Sequence, residues 1–463
     1  MTQVRNPLTG KPDHVLSPPS AAQLASAAAG LREAAAAWRA TDRGPALTRL
    51  AQAIATDEAL LEALVADTGR TGESLLERQI VAGLIHRWVA QAPALLAAPD
   101  DSPASLPGIV VGGEAVPYEL VGVISPWNLP LLLGMIDAVP ALAAGCAVIV
   151  KPSEVTPRFI EPLMRLVPEE VPLLLVEGDG ATGAEMVPLV DALVFTGSVP
   201  TGRKVGEAAA RAFVPAFLEL GGKDPAIVLE GADLDRTASA ILWGATANAG
   251  QSCQSIERIY VERSVHDEFL DLLAAKAGAV GLTCEGGPIG PIIAADQVEV
   301  IERHLADAVE RGARVHTGGV IEEHGGGLWC RPTVLSGVDH SMLVMTEETF
   351  GPLLPVMPVA DADEAVAMAN ESAYGLSAAV FAADEAGARA VAARLQVGAV
   401  SVNDASLTAL VHEGEKNSFK LSGLGGSRMG KASIQRFVRR RSYLVNRSQG
   451  ADPWWHNTEK GEN

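Results

Sequence analysis

Apolar residues in the first hundred positions recur at helical spacing. From Ala21 to Ala40, Leu24, Leu31 and Trp38 fall on one side of an Ala-rich stretch, the pattern of a helix packed by one face. Asp42-Arg43-Gly44-Pro45 stops that helix and starts the next, and Asp67-Thr68-Gly69-Arg70 forms a turn before Glu73 to Leu96. Residues 21–98 are therefore predicted as three helices. From Pro99 to Glu119 the composition shifts to Pro, Gly and Ser with short apolar runs. This stretch reads as a linker or, from Gly108 to Val116 with Gly112-Gly113 at its centre, as a hairpin.

Beyond Glu119 the period changes. Leu120–Ser125, Cys146–Val150, Val171–Val176 and Ala192–Phe195 read as strands, whereas Leu129–Ala144 and Thr201–Ala212 read as helices. Buried strands separated by helices of this length predict a parallel sheet covered on both faces. A second α/β run begins near Pro225 with the strand Ala226 to Leu229 and continues to about Asn403. The fold class is α/β. Leu120 to Val150 is the most apolar stretch, but Pro126, Asn128, Pro130, Asp137 and Pro140 interrupt it, which suits strand-helix-strand better than a membrane span. The last twenty residues are polar apart from Trp454 and Trp455 and read as a packed tail.

A chain of 463 residues has room for two or three domains, and 48% hydrophobic with 20% charged residues is a globular balance. Aromatics reach only 4% beside abundant Ala and Gly, so helix faces should pack closely through small side chains. The formal net charge of −20 opposes a nucleic-acid or anionic-membrane partner, because both would repel it. The basic run Arg436 to Arg441 reads as a solvated strand face or oligomer contact in preference to an anion site. The N-terminus has no apolar signal-peptide core. Cys146, Cys253, Cys284 and Cys330 lie far apart with no neighbouring His, as expected of free thiols in a reducing cytoplasm, with neither disulfides nor a metal site.

Several short segments can carry chemistry. Phe195-Thr196-Gly197-Ser198-Val199-Pro200-Thr201-Gly202 follows a strand and opens a helix, where backbone N–H groups can approach a pyrophosphate. Gly178-Asp179-Gly180-Ala181-Thr182-Gly183 matches GxGxxG but lacks the later acidic residue of a dinucleotide fingerprint, so it reads as a structural turn. Lys151-Pro152-Ser153-Glu154 ends a strand: Lys151 and Glu154 could meet ribose hydroxyls, or form a solvated pair. Cys253 in Gly250-Gln251-Ser252-Cys253 could be a nucleophile or an inert small side chain. Glu219, inside an apolar stretch, suits a general base, or pairs at the surface with Lys223. Asn128 can donate to an oxyanion, or cap the helix Leu129–Ala144.

Together and in this order these segments resemble the aldehyde dehydrogenase superfamily of the NAD(P)-dependent, non-acylating type. The resemblance runs from Asn6-Pro7-Leu8-Thr9-Gly10 to about Tyr443. It includes Pro126-Trp127-Asn128, Lys151-Pro152-Ser153-Glu154, Phe195-Thr196-Gly197-Ser198, Glu219-Leu220-Gly221-Gly222-Lys223 and Gly250-Gln251-Ser252-Cys253. Glu347-Glu348-Thr349-Phe350-Gly351-Pro352, Tyr374-Gly375-Leu376 and Ser422-Gly423 follow. The resemblance implies that Cys253 attacks an aldehyde, that Asn128 and the Cys253 N–H hold the oxyanion, and that Glu219 activates the water that hydrolyses a thioester. A thiol of ordinary pKa is only a few per cent thiolate at neutrality, so Cys253 needs an activating neighbour that the sequence does not reveal.

The same resemblance implies a cofactor site. Lys151 and Glu154 meet the adenosine ribose, Gly197, Ser198 and Gly202 lie near the pyrophosphate, and Glu348 binds the nicotinamide ribose beside Phe350. Ser125, Trp127, Leu220 and Gly221 complete it. Glu154 favours NAD, with NADP possible. The implied architecture is a Rossmann-like cofactor domain (1–225, interrupted by an oligomerisation hairpin at 100–121), an α/β catalytic domain (226–432) and an oligomerisation strand with a tail (433–463). The implied assembly is a cytoplasmic homodimer or homotetramer acting on a small-molecule aldehyde. One departure stands out: Glu415-Lys416-Asn417-Ser418-Phe419-Lys420 replaces the usual Pro-Phe-Gly-Gly before the late lysine, which suggests a polar aldehyde or a rearranged loop. Leu129, Leu132 and Ile136 stand where bulkier rings are usual. A CoA-acylating dehydrogenase and a non-redox esterase or binding paralogue are the competing readings.

Overall fold

The computed structural model describes residues 2–449, 452 and 454–456. Four helices, not three, occupy the first predicted helical region: Ala21–Ala40, Gly44–Thr56, Glu58–Thr68 and Thr71–Leu96. Asp57 makes the extra break. Its backbone is extended and its carboxylate accepts the Leu60 N–H at 2.7 Å, so it ends one helix and caps the next. Leu47, Leu50, Ile54, Leu60 and Leu64 are buried on both sides of the break, and this continuous apolar face concealed it in the sequence.

The first sheet has six strands in the order Gly423–Leu424, Ala216–Glu219, Ala192–Thr196, Leu120–Ile124, Ala147–Lys151 and Leu173–Leu175. All pairs are parallel except the first, which is antiparallel. Every residue of Leu120–Ile124, Ala147–Lys151 and Ala192–Thr196 is buried, as consecutive apolar side chains covered on both faces require. Because parallel strands end at one edge, residues 125–128, 151–154, 197–198 and 219–221 gather there. The strand order reverses between Leu120–Ile124 and Ala192–Thr196, where open α/β sheets form their ligand crevice.

The second sheet has seven strands, in the order Arg314–Val315, Thr333–Ser336, Leu353–Val359, Ile256–Glu262, Asp224–Val228, Ser377–Phe381 and Ala399–Val402. Only the first pair is antiparallel. The chain thus forms two parallel sheets, the α/β class anticipated above. Gly423–Leu424, late in the chain, closes back onto the first sheet beside Glu219.

The predicted hairpin about Gly112-Gly113 is corrected. Ile109–Pro117 is one continuous strand through both glycines, and it pairs antiparallel with Val438–Asn446 from Pro117↔Val438 to Ile109↔Asn446. A long-range partner keeps the glycines extended, and the short return is made by Ser102–Pro103 instead. The basic run divides: Arg439, Arg440 and Arg441 are exposed on this strand, whereas Arg436 is buried and bonds Asp137 at 2.5 Å. Trp454 and Trp455 are about half exposed, so they do not pack as a tail; the residues beyond 456 lie outside the described ones. Among the described residues no helix is long and apolar enough to cross a membrane.

Candidate active site

Two adjoining cavities with shared walls occupy the crevice at the carboxyl edge of the first sheet. The outer one, about 540 Å³, is lined by Ser125, Trp127, Lys151, Glu154, Gly197 and Ser198, all expected cofactor residues. The ammonium of Lys151 donates to the Gly178 carbonyl at 2.9 Å and lies 3.4 Å from Glu154, with the Glu154 side chain partly exposed. Gly178–Gly183 is a turn into the short helix Gly180–Met186, whose Asp179 cap accepts the Ala181 N–H. Its glycines 180 and 183 also wall this cavity, a contribution the purely structural reading missed. Gly202 lines neither cavity and packs on Leu220, where any Cβ would strike the leucine.

The inner cavity, about 280 Å³, shares Pro126, Trp127, Thr196, Gly197 and Ser198 with the outer one. Asn128, Leu220, Gly221, Cys253, Glu348 and Phe350 complete its expected lining, while Gln297 and Arg303 were not foreseen. Cys253 reaches it through a sharp reversal of the chain after the helix Leu234–Thr246. Asn248 and Ala249 take positive φ of 57° and 55°, and Gly250 follows at 71°. Such backbone is costly for residues with a Cβ and persists only when its surroundings hold it. Here the fully buried side chain of Gln251 does so: its amide donates to Asn248 O at 2.9 Å and Pro291 O at 3.2 Å, and its oxygen accepts the Ile293 N–H at 2.8 Å.

Asn128 belongs to the same network. Its Nδ2 donates to the Gln251 carbonyl at 2.9 Å, and its backbone carbonyl accepts from Arg70 and Asn248, each at 3.0 Å. One Nδ2 hydrogen remains uncommitted. The helix Pro130–Ala144 carries no side-chain cap, so Asn128 is not a cap. Burial pushes the Cys253 thiol up to about 12; Lys416 and Arg428 pull it down, whereas Glu348 and Asp224 push it further up.

Glu219 ends its strand buried, and its carboxylate accepts from Ser418 Oγ at 3.1 Å with Lys416 Nζ at 4.0 Å. It does not line the inner cavity with Cys253 and Asn128. The alternative surface pairing with Lys223 is excluded, because Lys223 is buried and bonds Glu257 at 2.6 Å. In the departing segment Lys416 is buried beside Glu219 and its N–H donates to Ser427 at 2.9 Å, whereas Glu415, Asn417, Phe419 and Lys420 are exposed.

Glu348 accepts the Gly222 N–H at 3.0 Å, and burial together with nearby Glu257 pushes its carboxyl up to about 8. Gly221 lies against this carboxylate, where a side chain would collide with it. The turn is held from behind: Thr349 and Phe350 donate to Glu257 at 2.7 and 2.8 Å, and Thr349 Oγ1 meets Lys223 at 3.1 Å and His304 at 3.0 Å. Phe350 sits at φ +53° with its ring 5.3 Å from that of Trp127, edge to face. Arg428 bonds Asp137 at 2.6 Å and also reaches Thr196. Burial drives Asp137 up, but Arg428 and Arg436 outweigh it and hold the carboxyl below its usual range.

Sequence reasoning missed Gln251, Glu257, His304, Lys416 and Arg428. A signal existed for one of them: the charged pair Glu257-Arg258 inside the apolar strand Ile256–Glu262 has to be buried and partnered.

A third, small cavity of about 80 Å³ reaches the neighbours of Cys253, Ser252 and Gln254. Its walls are mainly apolar, with Leu76, Ile80, Leu129, Leu132 and Trp243, and its charged lining is confined to Glu73 and Glu77.

Comparison with known proteins agrees with this geometry. The model of the aldehyde dehydrogenase family matches residues 1–443. A putative succinate-semialdehyde dehydrogenase [NADP(+)] of Mycolicibacterium smegmatis is 35% identical over 94% of this chain and 86% of its own. The structure of the putative aldehyde dehydrogenase PutA from Anabaena variabilis has a TM-score of 0.96 at 53% identity, covering 98% of this chain and all (100%) of that one. A betaine aldehyde dehydrogenase point mutant from Staphylococcus aureus in complex with NAD+ has a TM-score of 0.90 at 28% identity, covering 98% and 96%. The chain belongs to the aldehyde dehydrogenase family. It is an oxidoreductase whose reaction class is the oxidation of aldehydes.

Proposed function

We propose that this chain oxidises an aldehyde to the carboxylic acid with NAD+ through a covalent thioester on Cys253. One observation carries the reading: Cys253 and Asn128 share a cavity that has Trp127, Thr196, Gly197 and Ser198 in common with the Lys151–Glu154 crevice. The residues fit a dinucleotide. Lys151 and Glu154 would hold its outer ribose, Gly197 and Ser198 its phosphates, and Glu348 with Phe350 its inner end. When bound, the nicotinamide supplies the hydride acceptor. The relatives differ in the cofactor named for them: NADP+ in the mycobacterial one, NAD+ in the staphylococcal structure. The carboxylate of Glu154 would repel a 2′-phosphate, which favours NAD+ here.

The protein's own groups supply the rest. The Cys253 sulfur attacks the carbonyl carbon, and the uncommitted Asn128 hydrogen with the Cys253 N–H stabilises the oxyanion. Loss of hydride leaves a thioester. Glu219 then removes a proton from the water that hydrolyses it, releasing the acid and the free thiol. For this the carboxylate turns from Ser418 toward the cavity. The apolar walls about Leu129, Leu132 and Trp243 suit an uncharged, largely apolar aldehyde better than one bearing a carboxylate. The strand Val438–Asn446, with Leu444 72% exposed, is the expected face of a dimer or dimer of dimers. The domain division at about residues 225 and 432 and a cytoplasmic site of action complete the proposal.

NADH formation, followed by absorbance over uncharged and carboxylate-bearing aldehydes, tests the reading. Turnover that depends on added CoA would replace hydrolysis by acyl transfer, and ester cleavage without aldehyde-dependent NADH would overturn it. E219Q is expected to give a burst of NADH approaching one per site, then a steady rate slowed about 100-fold, the usual scale of a lost general base.

A further inference from the structure

A dinucleotide lying across both cavities puts one nucleoside in each, so the diphosphate that joins them crosses the wall the cavities share. That wall is Pro126, Trp127, Thr196, Gly197 and Ser198, and it contains no cationic side chain. The helix Val199–Arg211 begins there, and its N-terminal end offers only a partial positive charge to a group carrying two negative ones. A full positive charge has to come from the flanking walls. The outer cavity has Lys151, already committed to the Gly178 carbonyl and to Glu154, and the exposed Lys204. Among the described residues the inner cavity has one cation, Arg303.

Gln297, Val300 and Arg303 recur every three residues on the helix Asp296–Glu310, so one face of that helix lines the inner cavity. The helix is tied to the turn of Glu348 and Phe350 at two points. Gln297 Nε2 donates to Thr349 O at 2.7 Å, and Arg303 Nη2 donates to Glu347 at 3.0 Å. Nη2 also lies 3.4 Å from His304 Nε2, whereas Nε and Nη1 have no partner among the described residues. Their N–H donors are therefore uncommitted. Both members of the Arg303–Glu347 pair are more than half exposed, so the pair holds the guanidinium only loosely. We propose that Arg303 binds the diphosphate of the cofactor, reaching it from the part of the chain that builds the second sheet while Gly197 and Ser198 hold it from the first. The inference rests on the dinucleotide reading above. A guanidinium suits this task because its charge is permanent and its planar fork of N–H groups matches two phosphate oxygens at once.

The test uses the full chain without aldehyde, titrated by calorimetry with NAD+, ADP and AMP. ADP and AMP share the adenosine half and differ by the second phosphate, the one nearer a group on the inner wall. R303Q is expected to weaken NAD+ and ADP about tenfold, the scale of a partly exposed charge-assisted bond, and to leave AMP within about twofold. R303K keeps the charge without the fork, and its affinities for NAD+ and ADP should fall between those of R303Q and the wild type. The thermal midpoint should stay in place in both variants, because the guanidinium is more than half exposed. Unchanged ADP binding in R303Q would overturn the proposal, as would an equal loss of ADP and AMP, or a loss of the preference for ADP over AMP in K204Q but not in R303Q. A wild-type chain that binds neither NAD+ nor ADP would sink the dinucleotide reading itself, whereas normal NAD+ and ADP binding in R303Q sinks only the role of Arg303.

Discussion

The turn that carries Cys253 and the turn that carries Glu348 and Phe350 wall the same cavity, yet they are held by different chemistry. Residues 248–253 are locked by neutral amides: Gln251, Asn248 and Asn128 exchange bonds of 2.9–3.0 Å. Residues 348–350 are locked by charge, through Glu257 and Lys223 at 2.6 Å. The two turns touch at Gly250, where a Cβ would run into the backbone of Gly351. The amides themselves do not titrate, although the Asn248 N–H also donates to Glu73 at 3.3 Å and Arg70 to the Asn128 carbonyl at 3.0 Å. The charged lock instead surrounds Glu348 with another carboxylate, and its turn responds to pH.

That contrast can be broken experimentally. The largest effect should come from the atom both turns serve: C253A is expected to lower turnover about 10⁴-fold or more while cofactor binding, read by fluorescence titration, persists. E257Q should come next. It leaves the Lys223 ammonium buried without its counter-charge, with an expected loss of about 3–5 kcal/mol in denaturant unfolding. Q251A should cost about 2–3 kcal/mol, because several buried groups lose partners, and this loss should be the same at every pH. If E257Q and Q251A prove equally costly and equally pH-independent, the distinction between the locks fails.

The last effect is a slope of at most about 1.4 kcal/mol per pH unit. The carboxyl of Glu348 titrates at about 8 in the fold against 4.5 ordinarily. Between those values the folded state holds a proton that the unfolded state has released, so this group's stabilisation is full below about 4.5 and is lost as pH rises to about 8. E348Q should flatten that part of the stability curve, measured by thermal melting against pH. An unchanged slope would place the pH response elsewhere, in Asp67, Glu77 or Asp224, which burial also pushes up to about 7.

The parallel-sheet core was legible because consecutive buried apolar residues and their separating helices are local patterns. Leu120–Ile124, Ala147–Lys151 and Ala192–Thr196 fall where the apolar runs placed them to within two residues at either end. Gly112-Gly113 was misread because glycine pairs signal turns locally, while here a partner strand more than 320 positions away keeps them extended. Asp57 was missed because a cap within an unbroken apolar period leaves little trace. The residues around Cys253 were legible by family resemblance. Gln251 and Glu257, which hold the turns in place, were not, since a polar residue announces its role only once its partners are known.

The sequence alone determined the alternation of buried strands with helices beyond Glu119 and the family's class of chemistry, both of which reside in short windows of adjacent residues. The tertiary structure decided which charges meet. Ser418 and Glu219 lie 199 positions apart and come together because Gly423–Leu424 closes onto the first sheet. Burial then strengthens that meeting, since a charge has strong neighbours only where water has been removed from between them.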